Sequence, residues 1–394
     1  MFDGDQMGIY LPLTEAAQKE AKEKMMMDKN IWGPNGTSLA LTFKNDAVYG
    51  FYMLTANPKS EKVLKDAVYS IQDLHRVLLK YSDPTLLVNF KKKEITIGRA
   101  ILEEIIGLPI EKQYKKKDVT DLFLKLAEKE EANIVMEKMN ETMKVCMIAP
   151  TLIGKSMDIS QFALPKEFEK RKEEAFKAEN PSKELSAITK DVLEALNQSN
   201  SIIYDLVNSG GRGKTENIQT QIVAKGFVED VDGSVIEKPV VSSLSDGLKP
   251  SEFMAVGIGG RKGIVDRSQM TAVSGYLARQ LAYATVSVKM SARTKDCGTK
   301  NYFELKVTKD IAKGLNTRYL SNGTMIINPE EYIDKTIQIR SPMYCTSPEI
   351  CHKCLGDDAV TKIRSTNIGM VAAQIIGERG SQMTMQTFVR HVSL

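Results

Sequence analysis

Between Pro250 and Val288 the apolar residues return at a period near 3.6: Phe253, Val256, Ile264, Met270, Val273, Leu277, Leu281 and Ala284. That is the pattern of a helix. Pro250 suits a first helical turn, where a missing N–H costs nothing, and Glu252 favours the positive end of the helix dipole. One helix over this stretch would reach about 55 Å at 1.5 Å per residue. Yet Gly257, Gly259, Gly260, Gly263 and Gly275 each cost roughly 1 kcal/mol relative to alanine in a helix interior. The stretch reads either as two helices joined at Gly259–Gly263 or as one long strut built to bend.

The remaining pattern is punctuated more often. Ile9–Leu13 (IYLPL) predicts a short strand, and Thr14 is an N-cap for a helix from Glu15 to about Met27. Asn30–Leu41 is turn-rich, and Asp46–Leu54 is apolar enough to be buried. An amphipathic helix is predicted over Ser60–Lys80, and a strand follows Lys91–Lys93 before the segment Gly98–Leu102. Two helical patterns cover Asp118–Lys129 and Glu131–Lys144, and Cys146 stands among apolar residues as a core cysteine. Pro165–Asn200 predicts a helical hairpin broken at Asn180–Ser182, whose charged first arm suggests a solvent-exposed projection. Asp232–Gly233 marks a β-hairpin turn. From Asn367 the pattern predicts an apolar helix, a glycine-bounded break and the start of a second helix.

Composition adds bounds. A chain of 394 residues with 42% hydrophobic and 26% charged residues is an ordinary globular composition, long enough for two to four domains. A net charge of +4 is too small to announce nucleic acid, and the basic run Lys112–Lys117 reads as a solvated loop. No apolar run approaches the length of a membrane span. No secretory leader pattern opens the chain, which makes the cytoplasm the expected location. The 19 methionines have no reading beyond filling core gaps.

Cysteine placement changes the picture. Four of the five cysteines lie between positions 297 and 354. Cys345, Cys351 and Cys354 have C-x5-C-x2-C spacing, and Cys297 supplies a distant fourth thiol. Such a set suits a closed, tetrahedral structural Zn²⁺ site. His352 lies inside the knuckle but is surplus to four ligands, and reads as an exposed residue. At the start of the chain, Asp3 and Asp5 flank Gly4, so a tight turn can aim both carboxylates at one hard cation such as Mg²⁺. By itself an Asp-Gly-Asp sequence is more often a surface turn. Asn208–Thr215 (NSGGRGKT) approaches a phosphate-binding loop but has Asn208 where the first glycine is required.

Taken in order, these pieces resemble the largest catalytic subunit of multisubunit DNA-dependent RNA polymerase, of the bacterial β′ type. The resemblance rests on FDGDQM at Phe2–Met7, GRAIL at Gly98–Leu102, the SGGRGKTENI segment, the D-G-S-V-I-E hairpin and GGRKGIVDRSQMTAVSGYLARQL. Asp296–Thr299 (DCGT), the ICHKC knuckle and VAAQIIGERGSQMTMQTF complete it. It implies that the long stretch is a bridge helix beside the catalytic metal, and that the final segment enters the trigger loop. It further implies that Asp3 and Asp5 are two of three aspartates holding catalytic Mg²⁺, Met1 standing where the family has the first. Thr271 and Ala272 match residues facing the templating base pair, Arg212 an arginine of the funnel, and Gln382 and Met385 contacts to the incoming nucleotide. Gln386 and Val389 replace the family's arginine and histidine. Cys297, Cys345, Cys351 and Cys354 match the Zn²⁺ ligands of the cleft. The implied activity is two-metal nucleotidyl transfer within a multisubunit complex, with a β-like subunit, the remaining β′ segments, DNA template, RNA and nucleoside triphosphates as partners.

The expected fold is therefore mixed α+β and multi-module, with a long bridge-type helix, a helical hairpin, small strands and a Cys₄ zinc site, as a fragment of a larger polymerase subunit. The modules run 1–29 (half of the metal loop, strand and helix), 30–164 (pore-like region) and 165–245 (funnel hairpin and Gly-rich segment). They continue with 246–290 (bridge helix), 291–366 (zinc region) and 367–394 (start of the trigger loop). Resemblance that begins and stops inside functional loops implies one segment of a split or interrupted β′ gene, which suits a large bacteriophage. The alternative is a non-catalytic, zinc-containing scaffold or nucleic-acid-binding fragment derived from a polymerase.

Overall fold

The structure, a computed structural model, describes residues 6–34, 36, 38–64, 66, 68–312, 314–363 and 365–385. It is mixed α+β. Helices in chain order are α1 (Glu15–Glu20), α2 (Asp46–Leu54), α3 (Ile71–Tyr81), α4 (Ile97–Ile106), α5 (Lys116–Ala127), α6 (Ala132–Ile153), α7 (Glu169–Ala175) and α8 (Pro181–Gln198). There follow α9 (Ile202–Ser209), α10 (Thr215–Ile218), α11 (Pro250–Thr285), α12 (Lys309–Ala312), α13 (His352–Leu355), α14 (Asp357–Lys362) and α15 (Ile368–Met385). Strands β1 (Leu87–Phe90) and β2 (Lys93–Thr96) form one antiparallel pair, and β3 (Phe303–Lys306) and β4 (Thr336–Ile339) another. The described residues divide into two compact units, one within 6–41, 131–136 and 273–382, the other within 42–130, 137–272 and 383–385.

In the second unit α2 is buried from Ala47 to Leu54, and glycine lets neighbouring helices come close. A Cβ on Gly50 would lie 1.8 Å from the Cys146 carbonyl oxygen of α6, and one on Gly98 of α4 would lie 2.2 Å from that of Leu54. Lys91 and Lys92 turn the β1–β2 hairpin with φ of 49° and 66°, the left-handed conformation that a two-residue hairpin loop demands. A further core gathers Phe168, Ala175, Leu185, Ile188, Val192, Leu196, Ile218 and Ile222. Phe168 and Ala175 put the first arm of the Pro165–Asn200 hairpin into that core, so it is not the bare projection its charge suggested. Two apolar residues one above the other on the arm sufficed to bury one side.

The Asp232–Gly233 turn is where the pattern placed it. Gly226 pairs with Val240 and Glu229 with Val235, and this hairpin packs on α11. A Cβ on Gly259 would meet Val228 Cγ1 at 2.3 Å, and Lys262 reaches Glu229 at 3.6 Å and Asp266 at 2.5 Å.

Helix α11 is one unbroken element of 36 residues, about 54 Å at the α-helical rise. Its start is held by Glu252, whose carboxylate accepts the N–H groups of Val241 (3.0 Å), Ser242 (3.1 Å) and Lys249 (3.0 Å). Phe253, Ile264, Val273, Tyr276 and Tyr283 are all exposed, and Ser274 is its one buried side chain among the described residues. The helix is apolar on several faces rather than along one stripe.

In the first unit a small core (Val307, Ala312, Leu315, Ile326, Ile337, Ile339) backs the β3–β4 pair. The only tryptophan of the chain, Trp32, lies under the Lys362 ammonium at 4.3 Å from the ring centroid.

Four further expectations are corrected. Residues 9–13 form no strand; Ile9, Tyr10, Leu11 and Leu13 are highly exposed, and no described backbone lies alongside to pair with them. Thr14 does cap a helix, accepting the Ala17 N–H at 3.2 Å, but α1 ends at Glu20 and continues as a π turn over Ala21–Met25. The helix expected from Ser60 starts only at Ile71, because Ser70 and Asp73 form a reciprocal capping box, while Val63 and Leu64 pair with Leu87 instead. The glycine-bounded break after Asn367 is absent: α15 runs through Gly377 and Gly380, and a Cβ on Gly377 would lie 2.7 Å from that of Ala278. That glycine permits close helix packing.

Candidate metal centre and residues of the long helix

Two backbone segments build the cysteine cluster. Residues 289–295 run beside 350–353, with Ser291 N–H on Ile350 O (2.9 Å), Ile350 N–H on Lys289 O (2.9 Å) and Lys353 N–H on Lys295 O (3.1 Å). This pairing carries Cys297 to the knuckle. Cys345 ends the turn Pro342–Tyr344, which Ser341 caps, and Cys351 is the N-cap of the short α13 that contains Cys354. The Cys351 N–H donates to Cys345 Sγ at 3.4 Å. Sequence separation of 48 positions between Cys297 and Cys345 is thereby closed.

The four Sγ atoms lie within 4.8 Å of one another, and Cys297 and Cys354 are 3.7 Å apart. A tetrahedral ion with Zn–S bonds of about 2.3 Å has sulfurs about 3.8 Å apart. Soft thiolates in this number suit Zn²⁺ more than a hard cation. Cys351 and Cys354 are fully buried, while Cys297 and Cys345 are half-buried. His352 is not a ligand. It is partly buried and its Nε2 lies 2.9 Å from the Ser291 carbonyl, so it braces the segment leading to Cys297 instead of standing exposed.

Charged residues that the spacing did not reveal surround the sulfurs. Arg340 Nη2 donates to Cys297 Sγ and Cys354 Sγ, both at 3.4 Å, and to Asp296 Oδ1 at 2.8 Å. Asp296 also receives Lys353 Nζ at 2.9 Å and the Gly298 N–H at 2.9 Å. The Gly298 N–H, Lys353 and Arg340 hold its carboxyl far below the usual carboxylate range. Burial raises the Cys297 thiol, but the N–H groups of Thr346 and Thr299 outweigh it and bring it down to about 5. Burial pushes Cys354 up. Arg318 donates to the Leu355 and Arg340 carbonyls at 2.8 and 3.3 Å, and its side chain passes Gly356 so closely that a Cβ there would lie 2.8 Å from Arg318 Cδ. The signal in the sequence was weak: Asp296 adjoins Cys297, and Arg340 precedes Cys345 by five positions.

The other sequence-derived residues fall as follows. Asp3 and Asp5 lie outside the described residues, as do Gln386 and Val389. Thr271 and Ala272 are exposed on α11, and Thr271 Oγ1 donates to the Arg267 carbonyl at 2.7 Å. Gln382 is exposed on α15 and donates to Glu378 Oε1 at 3.1 Å; Met385 is the last residue of that helix. Arg212 is engaged: Nε and Nη2 grip the Asp46 carboxylate at 2.9 and 3.0 Å, tying the Gly-rich segment to the start of α2. Asn208 donates to Tyr52 Oη at 3.0 Å. The Gly-rich segment thus closes on α2.

Residues 247–393 match the family model described as RNA polymerase Rpb1, domain 5. Nearly the whole chain, 98%, aligns with curated proteins named DNA-directed RNA polymerase subunit beta′. It is 28% identical to that of Moorella thermoacetica, 29% to that of Caldanaerobacter subterraneus subsp. tengcongensis and 27% to that of Borreliella burgdorferi strain ATCC 35210. The chain is thus related to β′-type subunits over its length, as its motifs suggested. It spans 38%, 39% and 33% of those three relatives. None of the described helices is long and apolar enough to cross a membrane.

Proposed function

We propose that this chain is the cleft segment of a β′-type catalytic subunit and takes part in DNA-dependent RNA synthesis in the cytoplasm. The observation that carries this reading is α11, a helix of 36 residues inside the region that matches Rpb1 domain 5. A helix apolar on several faces and mostly exposed in the isolated chain needs other surfaces to cover it. In the proposed complex, a β-like subunit, the other β′ segments and the nucleic acid provide them.

On this reading α11 acts as the bridge helix, with Thr271 and Ala272 facing the templating base pair. The C-terminal part of α15 begins the trigger loop, with Gln382 and Met385 directed to the incoming nucleotide. Asp3 and Asp5 would hold Mg²⁺, a hard ion that carboxylate oxygens suit, and nucleotidyl transfer would follow the two-metal pattern in which cations position the attacking hydroxyl and offset the leaving charge. Arg212 would act by holding the Gly-rich segment on Asp46. The four cysteines would hold Zn²⁺ in a structural role.

The test is reconstitution. The chain is purified with the polymerase subunits that accompany it, and primer extension is measured with and without Asp3→Ala plus Asp5→Ala. The double variant should assemble and lose nucleotide incorporation. Retained incorporation overturns the metal assignment, and failure of the wild-type chain to co-purify with polymerase subunits favours the zinc-containing scaffold.

A further inference from the structure

Arg340 is 4% exposed, and a buried guanidinium is costly unless negative charge faces it. Its Nη2 is shared among Cys297 Sγ, Cys354 Sγ and Asp296 Oδ1, and its Nε is buried without a hydrogen-bond partner. Asp296 is itself shared with Lys353, so this carboxylate alone does not answer the arginine. Two neutral thiols would leave the guanidinium under-compensated. Two thiolates of a metal centre would not.

We infer that Arg340 is the positioning and charge-compensating residue of the cysteine centre, bridging the Cys297–Cys354 sulfur edge and joining the two segments that supply the ligands. This rests on the reading of the four cysteines as a metal site. Four thiolates on one divalent cation leave excess negative charge in a poorly solvated place. Guanidinium N–H groups on two sulfurs draw off part of it. The backbone reinforces the placement: Arg340 N–H donates to Tyr319 O at 2.7 Å, and its own carbonyl accepts from Arg318. The guanidinium therefore arrives from the end of β4, just before the turn that carries Cys345. Outer hydrogen-bond partners of metal ligands commonly change metal affinity by about ten- to a hundred-fold.

The test loads the full chain with Co²⁺ and follows the thiolate-to-metal charge-transfer absorption, with competition by a chelator to give affinity. Wild-type chain should bind one Co²⁺ per chain; if it shows no thiolate charge-transfer band, the metal site itself is wrong. Arg340→Met should still bind one ion, about ten- to a hundred-fold more weakly. Its band should move to lower energy, because sulfur orbitals lose the N–H donors that stabilise them. A merely structural arginine would alter affinity without that shift. If Arg340→Met does not fold, judged by circular dichroism and Trp32 emission, Arg340→Lys carries the test. A single ammonium cannot span both sulfurs and Asp296, so an intermediate shift is expected. Wild-type affinity and an unmoved band in the folded variant overturn the assignment.

Discussion

Gly369 and Thr285 hold two helices at backbone distance. Thr285 Oγ1 donates to the Gly369 carbonyl at 2.9 Å, and a Cβ on Gly369 would lie 2.0 Å from the Thr285 carbonyl oxygen. The start of α15 thus rests directly on the last turn of α11. Asn367 Nδ2 on the Val286 carbonyl, 3.2 Å, extends the seam.

Gly369→Ala should therefore force the helices apart and cost about 1–3 kcal/mol, the usual scale of overpacking. Amide exchange measures it: protection at 367–371 should fall while that of the β3–β4 core stays. Unchanged protection would show that the two helices do not depend on this contact.

Glycines within α11 should divide into two kinds. A Cβ on Gly259 would strike Val228, whereas Gly257, Gly260 and Gly275 have nothing within 4 Å. Gly260→Ala should stabilise the helix by up to about 1 kcal/mol, since alanine has the higher helix propensity. Gly259→Ala should lose that gain and displace the hairpin around Asp232. Thermal unfolding of the two single variants reads the difference. Equal shifts would mean the hairpin yields freely to the added methyl. If α11 bends during nucleotide addition, Gly260→Ala should also slow elongation in the reconstituted complex.

Glu252 sets an acid limit on the start of α11. Burial opposes its ionisation, but the Lys249 N–H, the Ser242 side chain and the N–H groups of Ser242 and Val241 outweigh it and bring its pKa down to about 2 from an ordinary 4.5. A carboxylate depressed in the folded state stabilises above its unfolded pKa and loses that contribution as pH falls toward the folded one. Exchange protection at Val241, Ser242 and the first turn of α11 should hold at pH 6 and decline between about pH 4.5 and 2. In Glu252→Gln it should be low at both pH values, by about 1–3 kcal/mol at neutral pH. A pH-independent wild type would remove Glu252 as the anchor.

Local chemistry made much of this fold legible. The long helix, the Thr14 cap, the buried segment at α2, the Asp232–Gly233 turn and the lone core Cys146 all follow from residues close in sequence. The four thiols were legible too, because few residue types bind soft metals and their spacing restricts the geometry. Where local signals misled, a partner elsewhere decided. Residues 9–13 are a short apolar run like a strand, but a strand needs a neighbour. Gly377 looks like a helix breaker, but opposite Ala278 it is a contact.

What the sequence by itself determined is much of the local structure: periodicity selected most of the helices, and four thiols at this spacing suit a soft metal. What only the tertiary structure decided is which charged side chains meet. Arg212 closes on Asp46 across 166 positions, and Arg340 reaches Cys297 across 43. No period or motif encodes such pairs, because the free energy that fixes them comes from burying charge beside charge once the chain has folded.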